Sequence, residues 1–172
     1  LPIWSWRLAA GTALSMLLIV SMGFWTSAMQ TLGLVLVATL IAVILAVPLG
    51  ILAAKFDRFS AIMKPILDFL QTMPAFVYLI PAVILFSIGY VPGVFATVIF
   101  AIAPGVRFTE LGIRGVDQET VEAGQAFGAK PGQILRGIQL PLALPTIMAG
   151  INQVIMLSLS MAVLVGFVGA DG

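Results

Sequence analysis

The sequence predicts an all-α integral membrane protein, and three observations carry that class. Hydrophobic residues make up 61% of the 172-residue chain and charged residues 9%, with a mean hydropathy of +1.17, far from the balance of a soluble domain. Charges are absent from Leu8 to Ala54, Phe69 to Val106 and Gly137 to Ala170, runs of 47, 38 and 34 residues; one helical crossing needs about 20. The eight Lys and Arg residues, at 7, 55, 58, 64, 107, 114, 130 and 136, cluster outside these runs. About five spans are expected in a single domain, 1–172, with no internal repeat.

The first run holds two spans, expected at 6–25 and 31–54. Trp6 and Trp25 bracket the first as interfacial aromatics, and Thr26, Ser27, Gln30 and Thr31 are expected to form a tight polar turn. Pro48 and Gly50 place a kink near the end of the second. Lys55, Asp57, Arg58, Lys64 and Asp68 then mark a membrane-surface loop. Lys64 and Asp68 are four apart and read as a pair on one helix face, ahead of the alternative that Asp68 belongs to a transport path.

The third and fourth spans are expected at 61–88 and 94–113, divided at Gly89-Tyr90-Val91-Pro92-Gly93. Pro74, Pro81 and Pro104 inside them free backbone groups that a neighbour or a water-filled path must satisfy, simple kinking being the commoner role. Gly89 and Gly93 have helix-dimer spacing, but Pro92 between them in a loop removes the match. Glu110 and Arg114 have the favourable order for a four-residue ion pair. The fifth span, 141–165, carries Asn152, Gln153, Ser158 and Ser160, suited to bonding a neighbouring helix or to lining a path.

The longest polar interruption is the loop 114–140. Asp117 can cap a helix, Glu119 suits its first turn, and Gly128 can end it in a left-handed conformation. Pro131 suits the first turn of a second helix. Two short helices in series are expected, Gln118 to Phe127 and Pro131 to about Gln139. Five spans put the N-terminus, the Lys55–Lys64 loop and this loop on one side, with every Lys and Arg; the positive-inside rule makes that side cytoplasmic.

The chain has no Cys and no His, so thiol chemistry and the usual general base and metal ligand are missing. It has no Gly-x-x-x-x-Gly-Lys-Ser/Thr loop. ATP-driven work therefore needs a second protein, and this chain is expected to be non-catalytic, with no cofactor or metal.

At Glu122, Ala123, Gly128, Ile138, Leu140 and Pro141 the chain resembles the membrane-spanning permease subunits of binding-protein-dependent ABC importers. Their cytoplasmic hallmark reads Glu-Ala-Ala, three residues, Gly, nine residues, Ile-x-Leu-Pro; the one departure is Gly124, where the family usually has Ala. Gln71 to Tyr78, Val106 to Thr109 and Leu140 to Gln153 look like the glycine betaine and proline betaine branch. The resemblance implies the type I ABC importer permease fold. It further implies import of quaternary-amine osmoprotectants across the cell membrane. The partners implied are an ATPase dimer, an extracytoplasmic substrate-binding protein, a second and usually identical permease subunit, and the bilayer, with no nucleic acid.

By the same resemblance, Glu122, Ala123, Gly124 and Gly128 would form the coupling helix that docks on the ATPase. Small residues there let a partner backbone approach, and Glu122 gives a directional charge. Phe127 either anchors that contact or packs back on the permease. Family members have one further span, so the ending at Gly169-Ala170-Asp171-Gly172, like the start at Leu1, suggests a truncated chain. Competing readings are a permease for choline, carnitine or an amino acid, an ion-driven transporter, and a purely structural membrane protein. The membrane runs lack the ionisable residues that ion coupling uses, and the structural reading leaves the loop spacing unexplained.

Overall fold

A computed structural model describes residues 2–168 of the chain, with side chains from Trp6 onward; the sequence expectation at Gly169 to Gly172 lies outside the described residues. Helices account for nearly all of it: α1 (Pro2–Ser21), α2 (Trp25–Lys55), α3 (Asp57–Thr72), α4 (Phe76–Phe86), α5 (Tyr90–Arg114), α6 (Gln118–Ala126), α7 (Pro131–Ile134) and α8 (Leu140–Phe167), with a π turn at Leu135–Gln139 joining the last two. Among the described residues, three helices are long and apolar enough to cross a membrane: α2, α5, and the continuous stretch Pro131–Phe167. The bent pair α3–α4 makes a fourth if counted as one span, and α1 is a shorter apolar helix.

At the centre stands α5, packed between α2 and α8. From α2, residues Ala38, Ala42, Ala46, Gly50 and Ala53 are buried at near-fourfold spacing, so one narrow stripe of small side chains faces α5. A Cβ on Gly50 would sit 2.4 Å from Thr109 Cβ and 2.7 Å from the Val106 carbonyl; the two backbones nearly touch. Gly150 of α8 meets Phe108 in the same way, at 2.5 Å. In lipid the outside is as apolar as the inside, so close backbone packing supplies the association that the hydrophobic effect supplies in water. Leu36, Leu40, Ile44 and Ile84 are accordingly exposed.

The turn before α2 lies at Met22-Gly23-Phe24, where Gly23 has φ +76°, and not at the polar cluster expected to form it. Thr26, Ser27, Gln30 and Thr31 lie inside α2. Thr31 Oγ1 donates to the Ser27 carbonyl at 3.0 Å, so the helix itself satisfies that hydroxyl. The break expected over Gly89–Gly93 is likewise shorter: α5 begins at Tyr90, and Pro92 falls in its first turn, where a missing N–H costs nothing. Gly93 is then buried, with a Cβ position 2.8 Å from Val165.

Where one continuous third span was expected, α3 and α4 meet at 89°. Pro74 explains the bend. Steric pressure from its ring pushes Met73 to an extended ψ of 136°, and its missing N–H leaves the Leu70 carbonyl without a ladder partner. Tyr78 Oη donates to that carbonyl at 2.5 Å, stapling α4 across the corner. At one end α3 starts beside the last turn of α5, while Phe86 of α4 meets Phe95 near its start, with ring centroids 5.5 Å apart. The pair therefore rises over the height of α5.

Candidate functional site

The short helix α6 is defined by chemistry at both ends. The Asp117 carboxylate accepts from the Thr120 N–H at 3.3 Å and from its hydroxyl at 3.0 Å, which closes the N-terminus. At the other end the Gly128 N–H donates to the Gln125 carbonyl at 2.8 Å and the Ala129 N–H to the Gly124 carbonyl at 3.1 Å. This is a Schellman closure, and Gly128 holds its left-handed residue at φ +80°. The chain then restarts at Pro131, where Gln133 Oε1 accepts from the Lys130 N–H at 2.8 Å.

No residue of α6 is buried. Its inner face is Val121, which packs against the buried cluster of Ile113, Val116, Ala143 and Ile147, as do Ile138 and Leu140 after the loop. Gly124 also faces inward: a Cβ there would lie 2.6 Å from Ile138 Cδ1. The sequence reading aimed Gly124 at a partner's backbone, but its close neighbour is the far end of its own motif. The outer face carries Glu122 and Ala123, both exposed, and Phe127 at 92% exposure. Phe127 therefore does not pack back on its own chain. A cleft of about 330 Å³ runs along α6, bordered by Arg114, Gln118, Glu122, Gln125 and Gln139.

Leu140 and Pro141 close the motif where the π turn becomes α8, with the Leu140 N–H donating to the Leu135 carbonyl five residues back. Pro141 has no N–H for the Gly137 carbonyl, so the α-helical ladder is already interrupted there. The second short helix and the fifth span, expected as separate elements, are thus one continuous rod.

Beside α6 lies a polar seam that sequence reasoning found only in part. The Glu110–Arg114 pair forms as expected, with Nε to Oε1 at 3.0 Å, but Lys64 and Asp68 do not pair with each other. Asp68 bonds Arg107, and Lys64 Nζ is 4.0 Å from Glu110. Ser60 Oγ donates to Glu110 at 2.6 Å, and Arg114 Nη2 donates to Asp57 at 2.7 Å and to the Ala53 carbonyl at 2.8 Å. The partners run antiparallel: 57, 60, 64 and 68 share one face of α3, and 107, 110 and 114 share one face of α5. That spacing was the available signal, since each set repeats at helical period.

A bundle of apolar helices around α5, with a capped and exposed helix α6 beside it, defines a polytopic membrane protein. Over residues 46–172 the chain matches the model of the binding-protein-dependent transport system inner membrane component. It belongs to that family. It is 56% identical to the glycine betaine/carnitine transport permease protein GbuB of Listeria monocytogenes, over 97% of this chain and 59% of the relative. It is 49% identical to the glycine betaine/proline betaine permease ProW of Escherichia coli and 51% identical to the glycine betaine permease OpuAB of Bacillus subtilis. The match covers 96% of this chain in both cases, and 47% and 58% of those proteins. The chain thus spans about half to three-fifths of these relatives. The fold matches an inward-facing structure of the MetNI methionine ABC transporter at a TM-score of 0.71 and 23% identity, over 92% of this chain and 78% of that one. The architecture is the type I ABC importer permease fold.

Proposed function

We propose that this chain is the transmembrane subunit of an ATP-driven importer for glycine betaine and proline betaine-like quaternary amines. Hydrolysis then resides in a partner ATPase dimer, and an extracytoplasmic binding protein delivers the substrate. The observation that carries the coupling role is the exposed outer face of α6: an apolar ring at 92% exposure on a rigidly capped helix is the form of a docking anchor. Glu122 and Ala123 stand on that outer face; Gly124, Ile138 and Leu140 support it from within, Gly128 terminates it, and Pro141 marks the entry of the chain into the bundle. A second copy of this chain is expected to complete the path.

Betaine is favoured over choline or carnitine alone by similarity: identity is 49% and 51% to permeases named for glycine betaine without carnitine, 56% to one named for glycine betaine and carnitine together, and 34–35% to a choline and a carnitine permease. The test is affinity capture of the full chain from detergent-solubilised membranes, followed by reconstitution. A P-loop ATPase should co-purify, and Phe127→Asp should lose it while the chain remains in the membrane. Capture without any ATPase, or ATP-independent uptake driven by an ion gradient, would overturn the reading.

A further inference from the structure

We propose that the polar seam between α3 and α5 is a positioning device that carries displacement of α6 to the bent pair α3–α4, with Glu110 as its node. This rests on the importer reading. Over its 16 residues α3 buries only Ser60 and Leu67, so apolar packing alone holds its place along α5 weakly. Apolar contact is non-directional and resists sliding little. Charge-assisted bonds are directional, and the best-attested use of buried polar pairs is to fix register, not to add stability.

The Glu110 carboxylate is 7% exposed as a residue and accepts from Ser60 on α3 and Arg114 on its own helix, with the Lys64 ammonium alongside. Arg114 then reaches the end of α2 through the Ala53 carbonyl and the first residue of α3 through Asp57. One side chain from α5 thereby joins three helix ends. The output lies across the corner, where the Tyr78 hydroxyl ties α4 to the Leu70 carbonyl of α3. The input is just as short. Asp117, which caps α6, follows Arg114 by three residues, and two of the intervening N–H groups are bonded back into α5, Gly115 to Leu111 at 2.8 Å and Val116 to Ile113 at 3.4 Å. There is no slack between α6 and the seam.

The experiment uses the absence of native Cys. Spin labels on Cys residues replacing Ile80 of α4 and Gln125 of α6, both exposed, should report one narrow distance in the full chain in lipid vesicles. Glu110→Gln should broaden it. Arg107→Asp should also broaden it, and adding Asp68→Arg should restore it; this pair is more exposed and serves if Glu110→Gln does not insert. In the complex with its ATPase, Glu110→Gln should leave hydrolysis without substrate unchanged and lower uptake per ATP about tenfold, the size of a typical coupling between sites. An unchanged distance distribution overturns the seam, whatever partner is found. A broadened distribution with parental uptake per ATP overturns its transmitting role. Failure of any ATPase to co-purify would instead count against the importer reading, leaving the distance result to judge the seam itself.

Discussion

Gly128 shows how much one backbone angle can decide. No atom lies within 4 Å of where its Cβ would stand, so a substitution there meets no steric wall, only the cost of a left-handed residue, about 1 kcal/mol or more for an ordinary side chain. The expected order of damage is Gly128→Asn least, Gly128→Ala intermediate and Gly128→Val worst, because Asn tolerates this region and a β-branched residue does not. Substrate-stimulated ATP hydrolysis by the reconstituted complex is the measurement. If Asn were as harmful as Val, side-chain size at a docked interface would be the cause. Gly128 was legible in the sequence because a helix stop is local chemistry, as were the Asp117 cap and Pro131. Gly124 was not, because its neighbour Ile138 arrives only when the chain returns.

At the scale of elements, helix contacts decide more than helix propensities. Gly50→Ala should cost about 1–3 kcal/mol, since the added methyl would press on the Val106 carbonyl and part α2 from α5. Gly33→Ala on the same helix meets open space and should be neutral or slightly stabilising, by less than about 1 kcal/mol. Thermal unfolding of both variants in detergent separates the two outcomes; equal melting points would show that Gly50 is not a close-approach site. The sequence displayed Pro74 but not its effect. A proline kinks or breaks according to whether something receives the freed carbonyl, and here Tyr78 does. The seam was hidden for a related reason: Asp57, Ser60 and Asp68 find their partners on another helix, and only the Glu110–Arg114 pair lies within one.

The charge distribution and the fold agree on two ends of the molecule, one holding Ala53, Asp57 and Arg114 and the other holding Leu34, Ala96 and Val165. With single Cys residues at Thr26, Tyr90, Arg58 and Lys130, an impermeant thiol reagent should label intact cells at the first two only, if the positive end is cytoplasmic. Labelling of Lys130→Cys from outside would invert the orientation and remove any ATPase contact. The hydrophobic runs made the membrane class plain, but not that α5 stands at the centre, which its packing against both α2 and α8 decides. The rod from Pro131 to Phe167 has 37 residues, about 55 Å at helical rise, against a hydrocarbon layer of about 30 Å. With the span entered at Pro141, the ten residues 131–140, about 15 Å of rod, stand outside it, and α6 leans on that part through Gly124 and Ile138. A rod pivoting at the bilayer edge would act as a lever: a tilt of about 10° within the membrane would sweep its outer tip through about 3 Å.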